Sequence, residues 1–141
     1  MKQIKLNIQT KTQKYSILIG KKLSANISQI IKSNSINFNR CLLVVDSNVP
    51  KKFVSTIKKS LKNKTSYIHY LKANELNKNM NSINKILEIL LNKNFSRDDC
   101  LISIGGGITG DITGFAASLF KRGLKFINLS LIHISEPTRR I

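Results

Sequence analysis

A glycine block between an apolar segment and a segment of small side chains constrains the fold of this chain more than any other feature. Residues 100–104 carry a short core-strand signal, residues 105–110 satisfy the spacing G-x-G-x-x-G, and residues 111–121 favour a helix. Glycines let the backbone turn tightly and approach a pyrophosphate, whose charge is met by the free N–H groups of the helix N-terminus. We therefore expect a strand, a phosphate-binding turn and a helix in this order.

The glycine block departs from the usual dinucleotide fingerprint. It follows a late strand, and no acid stands about 20 residues further on to hold a ribose. It lacks a Gly-Lys-Ser/Thr sequence, which excludes a Walker P-loop. Asp46, at the end of another strand, is either a ribose-binding acid or a plain helix-capping residue. Glu75 and Lys78 on pattern alone belong to a solvated loop.

Strand and helix patterns alternate along the chain. Residues 41–46 form a continuous apolar run, which is typical of a parallel strand buried on both faces. A turn follows, with Ser47 or Asn48 as a helix cap and Pro50 suited to a first helical turn. The other predicted strands are 2–9 and 14–19, which can pair as a hairpin, 66–71, 100–104 and 124–129; the predicted helices are 23–31, about 50–62, 79–93 with Met80 on its apolar face, and about 111–121. This alternation predicts an α/β fold, Rossmann-like, with a mainly parallel sheet and flanking helices.

The amino-acid composition of the chain limits the kinds of partner that it can bind. The 141 residues suit about one domain, and their formal net charge is +17. A basic domain is a nucleic-acid candidate, but the lysines are scattered with few arginines and aromatics, as AT-rich codon usage produces, so we expect no nucleic-acid partner. We also expect no membrane span, no signal peptide and a cytoplasmic location. Cys41 and Cys100 each begin an apolar strand and are interpreted as buried free thiols.

A longer pattern around the glycine block is more specific. Residues 99–117 read D-C-L-I-S-I-G-G-G-I-T-G-D-I-T-G-F-A-A and are followed by Lys121-Arg122-Gly123. This segment resembles the signature of the 3-dehydroquinate synthase family. Upstream, residues 44–49 resemble the end of that family's first nucleotide-binding strand, and residues 74–78 resemble its G-E-x-x-K loop, with Asn74 in place of Gly. The motif Y-S-I-L-I-G at residues 15–20 also matches, so the likeness spans about residues 1–129.

The resemblance implies an NAD-dependent enzyme that also needs a divalent metal, zinc or cobalt. Its substrate is a phosphorylated sugar acid, 3-deoxy-D-arabino-heptulosonate 7-phosphate, which a transient hydride removal, phosphate elimination and ring closure convert into 3-dehydroquinate in the shikimate pathway. The resemblance further implies a homodimer. By the same likeness the cofactor-binding residues are Asp46 and Asn48 for the adenosine, Glu75 and Lys78 for a ribose, Gly106, Gly107 and Ile108 for the pyrophosphate, and Asp111 near the nicotinamide ribose; Arg122 would reach the substrate phosphate of a neighbouring subunit.

The end of the sequence departs from the family. The family continues with a Pro-Thr-Thr turn, a lysine-bearing segment and an α-helical domain with Glu-His-His metal ligands, whereas residues 130–141 read S-L-I-H-I-S-E-P-T-R-R-I. We therefore interpret residues 1–129 as an incomplete NAD-binding domain and residues 130–141 as a disordered tail of adapter-derived sequence. The chain then holds no metal ligand and no catalytic residue of its own, and alone it should be inactive.

Two other functions remain open from the residues. One is a polyol or alcohol dehydrogenase of the same superfamily, which the G-D-I-T-G-F-A-A segment disfavours. The other is a non-enzymatic basic module that binds nucleic acid.

Overall fold

The computed structural model describes residues 4–9, 14–19, 27–33, 36–120 and 123–130. The first two strands, β1 (Ile4–Gln9) and β2 (Lys14–Ile19), pair antiparallel in a two-stranded sheet of their own, which confirms the predicted hairpin. No helix within these described ranges is long and apolar enough to cross a membrane.

A four-stranded parallel sheet forms the centre of the remaining chain. Its members are β3 (Arg40–Asp46), β4 (Thr65–Leu71), β5 (Cys100–Gly105) and β6 (Lys125–Ser130), in the spatial order β4-β3-β5-β6. The helices are α1 (Ile27–Ser33), α2 (Lys51–Ser60), α3 (Met80–Asn92) and α4 (Gly107–Leu119), with a short 3₁₀ turn at Glu75–Asn77. The predicted α/β class with a parallel sheet is confirmed.

Two hydrophobic cores lie on the two faces of this sheet. Leu42 and Leu101 point into one core, against α3 and α4. Leu43 and Ile102 point into the other, against α1 and α2. Successive side chains of a strand point to opposite faces, so a strand covered on both sides must be apolar at every position. This explains the continuous apolar runs of β3 and β5, and it gives a three-layer arrangement of helices, sheet and helices.

Three local predictions are wrong. Helix α4 begins at Gly107 rather than near Asp111, because the glycines at its start adopt helical conformation instead of prolonging the turn. Met80 is 50% exposed, because it is the first residue of α3. Helix α2 has no side-chain cap among the described residues, because its N-cap position is occupied by Pro50, which has no side-chain acceptor, and not by Ser47 or Asn48.

Arg40, at the start of β3, connects the sheet to the end of α3. Its guanidinium donates to the carbonyls of Lys93 and Asn94, both at 2.6 Å, and to Asp99 Oδ2 at 2.8 Å. It also lies 4.8 Å from the centre of the Phe95 ring. Arg40 therefore satisfies carbonyls at the C-terminal end of a helix while it neutralises a buried carboxylate.

Candidate nucleotide-binding site

The sheet has a topological switch point between β3 and β5. The chain leaves β3 toward β4 on one side and returns to β5 on the other, so the connections that follow β3 and β5 diverge. In open α/β sheets this divergence leaves a crevice at the carboxyl ends of the strands, where ligands bind. Asp46 ends β3 and Gly105 ends β5, so both flank this crevice.

Gly105 is required by close packing of the two strand ends. A Cβ atom at this position would lie 2.8 Å from Thr109 Oγ1 and 2.9 Å from Asp46 Cβ, and the backbone has φ +157°. Such distances are shorter than non-bonded contacts allow. Gly105 thus brings the first turn of α4 against the end of β3.

Gly106 and Gly107 leave open space instead. A Cβ atom at either position would meet no described atom within 4 Å. Gly106 is the N-cap of α4, and no side chain in the described ranges caps the helix there. The first backbone N–H groups of an α-helix have no partner inside the helix. They carry a partial positive charge, so this turn presents donors to an open surface and fits a phosphate group.

The loop after β4 approaches the same helix. Lys78 Nζ lies 3.1 Å from Asp111 Oδ2, although the two residues come from different parts of the sequence. The hydrogen bond with Asp111, and then its charge, raise the pKa of Lys78. The Lys78 side chain is 46% exposed and the Asp111 side chain is 64% exposed, so both are accessible to a bound molecule.

Asparagine side chains fix the conformation of that loop. Asn74 Oδ1 accepts from Asn77 N–H at 2.9 Å, and Asn77 Nδ2 donates to the Lys72 carbonyl at 2.7 Å. Asn79 caps α3 by accepting from Ser82 N–H at 3.2 Å. Short polar side chains favour such turns because they mimic backbone hydrogen bonds. The exposed Glu75 and Lys78 are therefore held on an ordered loop.

A tight turn follows Asp46. Asn48 N–H donates to Asp46 Oδ1 at 3.1 Å, and Val49 N–H donates to the Asp46 carbonyl at 2.9 Å. Asp46 is half-buried and Asn48 is exposed. The Asp46 carboxylate is thus held at the switch point while it remains partly accessible.

The structure brings most of the predicted site residues to one edge. Asp46 lies across Gly105 from Thr109, and the glycine turn opens α4, where Asp111 meets Lys78. No hydrogen bond or ion pair among the described residues links Asn48 or Glu75 to the glycine turn. Arg122 lies outside the described residues.

Four polar residues of α4, β5 and β6 were not identified from the sequence. Thr109 and Thr113 are fully buried in α4, and within the described chain their Oγ1 atoms have no hydrogen-bond partner. Ser103 Oγ donates to Asn128 Oδ1 at 2.7 Å, which joins β5 to β6. A lone Thr or Ser in a helix or strand gives no sequence signal, because its importance depends on which face is buried.

The described part of the chain contains neither an assembled metal site nor a reactive thiol. No group of three or more His, Cys, Asp or Glu residues there is placed to hold a metal ion. Cys41 and Cys100 are free and buried, as predicted, and face each other across β3 and β5. Burial raises the pKa of the Cys41 thiol to about 12 and raises that of Cys100 as well.

The sequence is similar to curated 3-dehydroquinate synthases. The family "3-dehydroquinate synthase N-terminal" matches residues 68–135. The 3-dehydroquinate synthase of Pelagibacter ubique (strain HTCC1062) is 54% identical over 133 residues, which are 94% of this chain and 36% of that protein. The chain therefore spans about a third of the length of the relatives it matches.

Solved structures share the fold. A 2-deoxy-scyllo-inosose synthase complexed with carbaglucose-6-phosphate, NAD+ and Co2+ superposes with a TM-score of 0.80 and 20% identity, over 90% of this chain and 34% of that one. The 2-epi-5-epi-valiolone synthase from Streptomyces hygroscopicus subsp. jinggangensis 5008, with NAD+ and Zn2+ bound, gives 0.65 and 23%, over 82% of this chain and 32% of that one. At such identities the likeness establishes the architecture alone.

Proposed function

We propose that this chain, which belongs to the 3-dehydroquinate synthase family as an N-terminal segment, forms the NAD-binding part of a 3-dehydroquinate synthase. The whole enzyme would convert 3-deoxy-D-arabino-heptulosonate 7-phosphate into 3-dehydroquinate and phosphate, as a step of the shikimate pathway. The observation that carries this proposal is the open, uncapped glycine turn at the sheet's switch point. The 54% identity to one curated synthase supports the choice of reaction.

The pyrophosphate of NAD would rest on the first turn of α4. Gly106 and Gly107 carry no side chain into the space above this turn, so a ligand's oxygen atoms can approach the backbone. Ile108 would supply a further N–H group from the same turn. NAD would contribute a hydride acceptor to the reaction, while these residues bind and orient it.

The remaining site residues would hold the sugars and the adenine. Carboxylates are suitable acceptors for ribose hydroxyl groups, and Asp46 ends β3 while Asp111 lies in α4 one turn after Gly107. Lys78 is paired with Asp111, so it would donate to a ribose while it keeps that carboxylate in place. The proposed assignments are Asp46 and Asn48 for the adenosine, Glu75 and Lys78 for a ribose, and Asp111 near the nicotinamide ribose.

The metal, the substrate contact and the dimer belong to the proposal for the intact protein. The related synthases solved with Co2+ or Zn2+ support a divalent metal. Arg122 would reach the phosphate of the sugar-acid substrate in a neighbouring subunit, since a cation stabilises a leaving phosphate. We place the enzyme in the cytoplasm.

Calorimetric titration of this chain with NAD+ tests the cofactor site. The wild type should bind, and Gly107→Ala should weaken binding by about tenfold because its methyl group occupies the space proposed for the pyrophosphate. Ser118→Ala is the matched control, since Ser118 is exposed on the same helix and outside the turn. A wild-type chain that fails to bind NAD+ would refute the proposal.

Assay of the intact protein separates the reaction from its alternatives. A synthase releases phosphate from the heptulosonate phosphate without net formation of NADH, because the hydride is returned. NADH that accumulates with an alcohol or polyol would instead identify a dehydrogenase. Specific, strongly salt-dependent binding of duplex or single-stranded nucleic acid would favour a basic binding module.

A further inference from the structure

The hydroxyl group of Thr109 lies close to Gly105 and makes no hydrogen bond within the described residues. Thr109 is 0% exposed, and its Oγ1 has no hydrogen-bond partner in the described chain. Burying a hydroxyl without a partner costs free energy. A valine of almost the same shape would avoid this cost, so packing alone does not account for threonine here.

The position of this hydroxyl connects it to Asp46. Thr109 Oγ1 and Asp46 Cβ lie 2.8 and 2.9 Å from one point, the place where a Cβ of Gly105 would be. The hydroxyl and the carbon that carries the carboxylate are therefore neighbours across the bare Cα of Gly105. The only partner that the described residues give the Asp46 carboxylate is Asn48 N–H, at 3.1 Å.

We propose that Thr109 is a positioning residue for Asp46: its hydroxyl donates to the Asp46 carboxylate when that carboxylate binds the adenosine side of NAD. The inference rests on the proposed NAD site and adds to it a residue that does not itself touch the cofactor. A donor on the buried side would restrict the rotation of the carboxylate and leave its other oxygen for the ligand. Hydrogen bonds to an ionised carboxylate are short and strong, so this contact would favour one orientation.

Thr113 provides a matched control. It lies one turn further along α4, is also 0% exposed, and its Oγ1 also has no partner in the described residues. The substitution Thr113→Val thus makes the same chemical change at the same depth. No contact among the described residues places Thr113 beside Asp46 or the glycine turn.

Titration with NAD+ and with inorganic pyrophosphate tests the inference on the full chain. Thr109→Val should weaken NAD+ binding about tenfold. It should leave pyrophosphate binding unchanged, because pyrophosphate probes the glycine turn alone. Thr109→Ser, which keeps the hydroxyl, should retain most of the affinity, and Thr113→Val should bind both ligands as the wild type does. The effects of Thr109→Val and Asp46→Asn should also be non-additive, since both would remove one contact.

Three results would overturn the inference while the NAD site stands: unchanged NAD+ affinity in Thr109→Val, an equal loss in Thr113→Val, or additive effects of Thr109→Val and Asp46→Asn. Failure of the wild type to bind NAD+ would refute the proposed function and this inference together. If Thr109→Val does not fold, Thr109→Ala against Thr109→Ser gives the same comparison of a lost and a retained hydroxyl.

Discussion

Gly105 and Gly107 contribute differently to the stability of the turn. Gly105→Ala should lower the free energy of unfolding by about 1–3 kcal/mol, because its Cβ would meet Thr109 Oγ1 at 2.8 Å and Asp46 Cβ at 2.9 Å. Gly107→Ala should leave that free energy unchanged or raise it, since the added methyl group lies in open space on a helix. Urea unfolding of both variants measures the difference. Equal stabilities would show that the strand ends can separate without cost.

The buried thiols make stability depend on alkaline pH. Burial raises the pKa of Cys41 from 9.0 to about 12 and raises that of Cys100, whose next cause is the nearby Cys41. A group whose folded pKa is raised stabilises the fold fully below its unfolded pKa, and this stability is lost as the pH rises through the folded value. The free energy of unfolding should therefore fall from about pH 9 toward pH 12 as thiolates form only in the unfolded chain.

A double Cys41→Ala, Cys100→Ala variant isolates this effect from lysine titration. Its free energy of unfolding should fall less steeply over the same pH range than that of the wild type. A thiol reagent at neutral pH offers a second measurement, because only thiolates react and both sulfurs are buried. Rapid labelling of the native chain would contradict the assigned burial.

At the level of the secondary-structure elements, Arg40 connects β3 with the end of α3. Arg40→Met should lower the free energy of unfolding by about 1–3 kcal/mol, because Asp99 and two carbonyls lose a charged donor. Arg97→Met is the matched control, since Arg97 is exposed two residues from Asp99, and it should stay within about 0.5 kcal/mol of the wild type. Chemical denaturation compares the two variants. A similar loss of unfolding free energy in both variants would mean that positive charge near Asp99, and not the specific contacts of Arg40, stabilises the chain.

Sequence periodicity predicted the elements better than it predicted their connections. The buried strands β3 and β5 were identified because a sheet covered on both faces leaves only apolar positions, and that pattern is local. The predicted start of α4 was wrong because glycine permits both turn and helix. The predicted cap of α2 was wrong because the N-cap position is Pro50, which has no side-chain acceptor.

The candidate site, too, could be predicted from the sequence only in part. The glycine turn could be found from its spacing, whereas the contact of Lys78 with Asp111 joins residues whose proximity depends on the strand order. Thr109 gave no sequence signal, since only the folded chain shows that its hydroxyl lies behind Gly105 and beside Asp46. The spacing of the glycines therefore predicts the phosphate-binding turn of the backbone. The side chains that surround this turn can be identified only from the packing of the folded chain.

At the scale of the whole molecule, the central sheet belongs to both hydrophobic cores. Leu101 and Ile102 are consecutive residues of β5, both 0% exposed, yet they point into different cores. Removing the packing on one face would leave apolar strand residues facing water, so neither helix layer can be lost while the sheet stays intact. The two cores should therefore unfold together.

Leu101→Ala and Ile102→Ala test this coupling. Each should lower the free energy of unfolding by about 2–5 kcal/mol through the cavity it creates. Each should still give one transition that coincides by circular dichroism and by tyrosine fluorescence. Leu91→Ala is the control, because Leu91 is 60% exposed on α3 and should change stability little. Two separate transitions in either core variant would show that one helix layer can leave the sheet independently, and the β3–β5 crevice would then not depend on both layers.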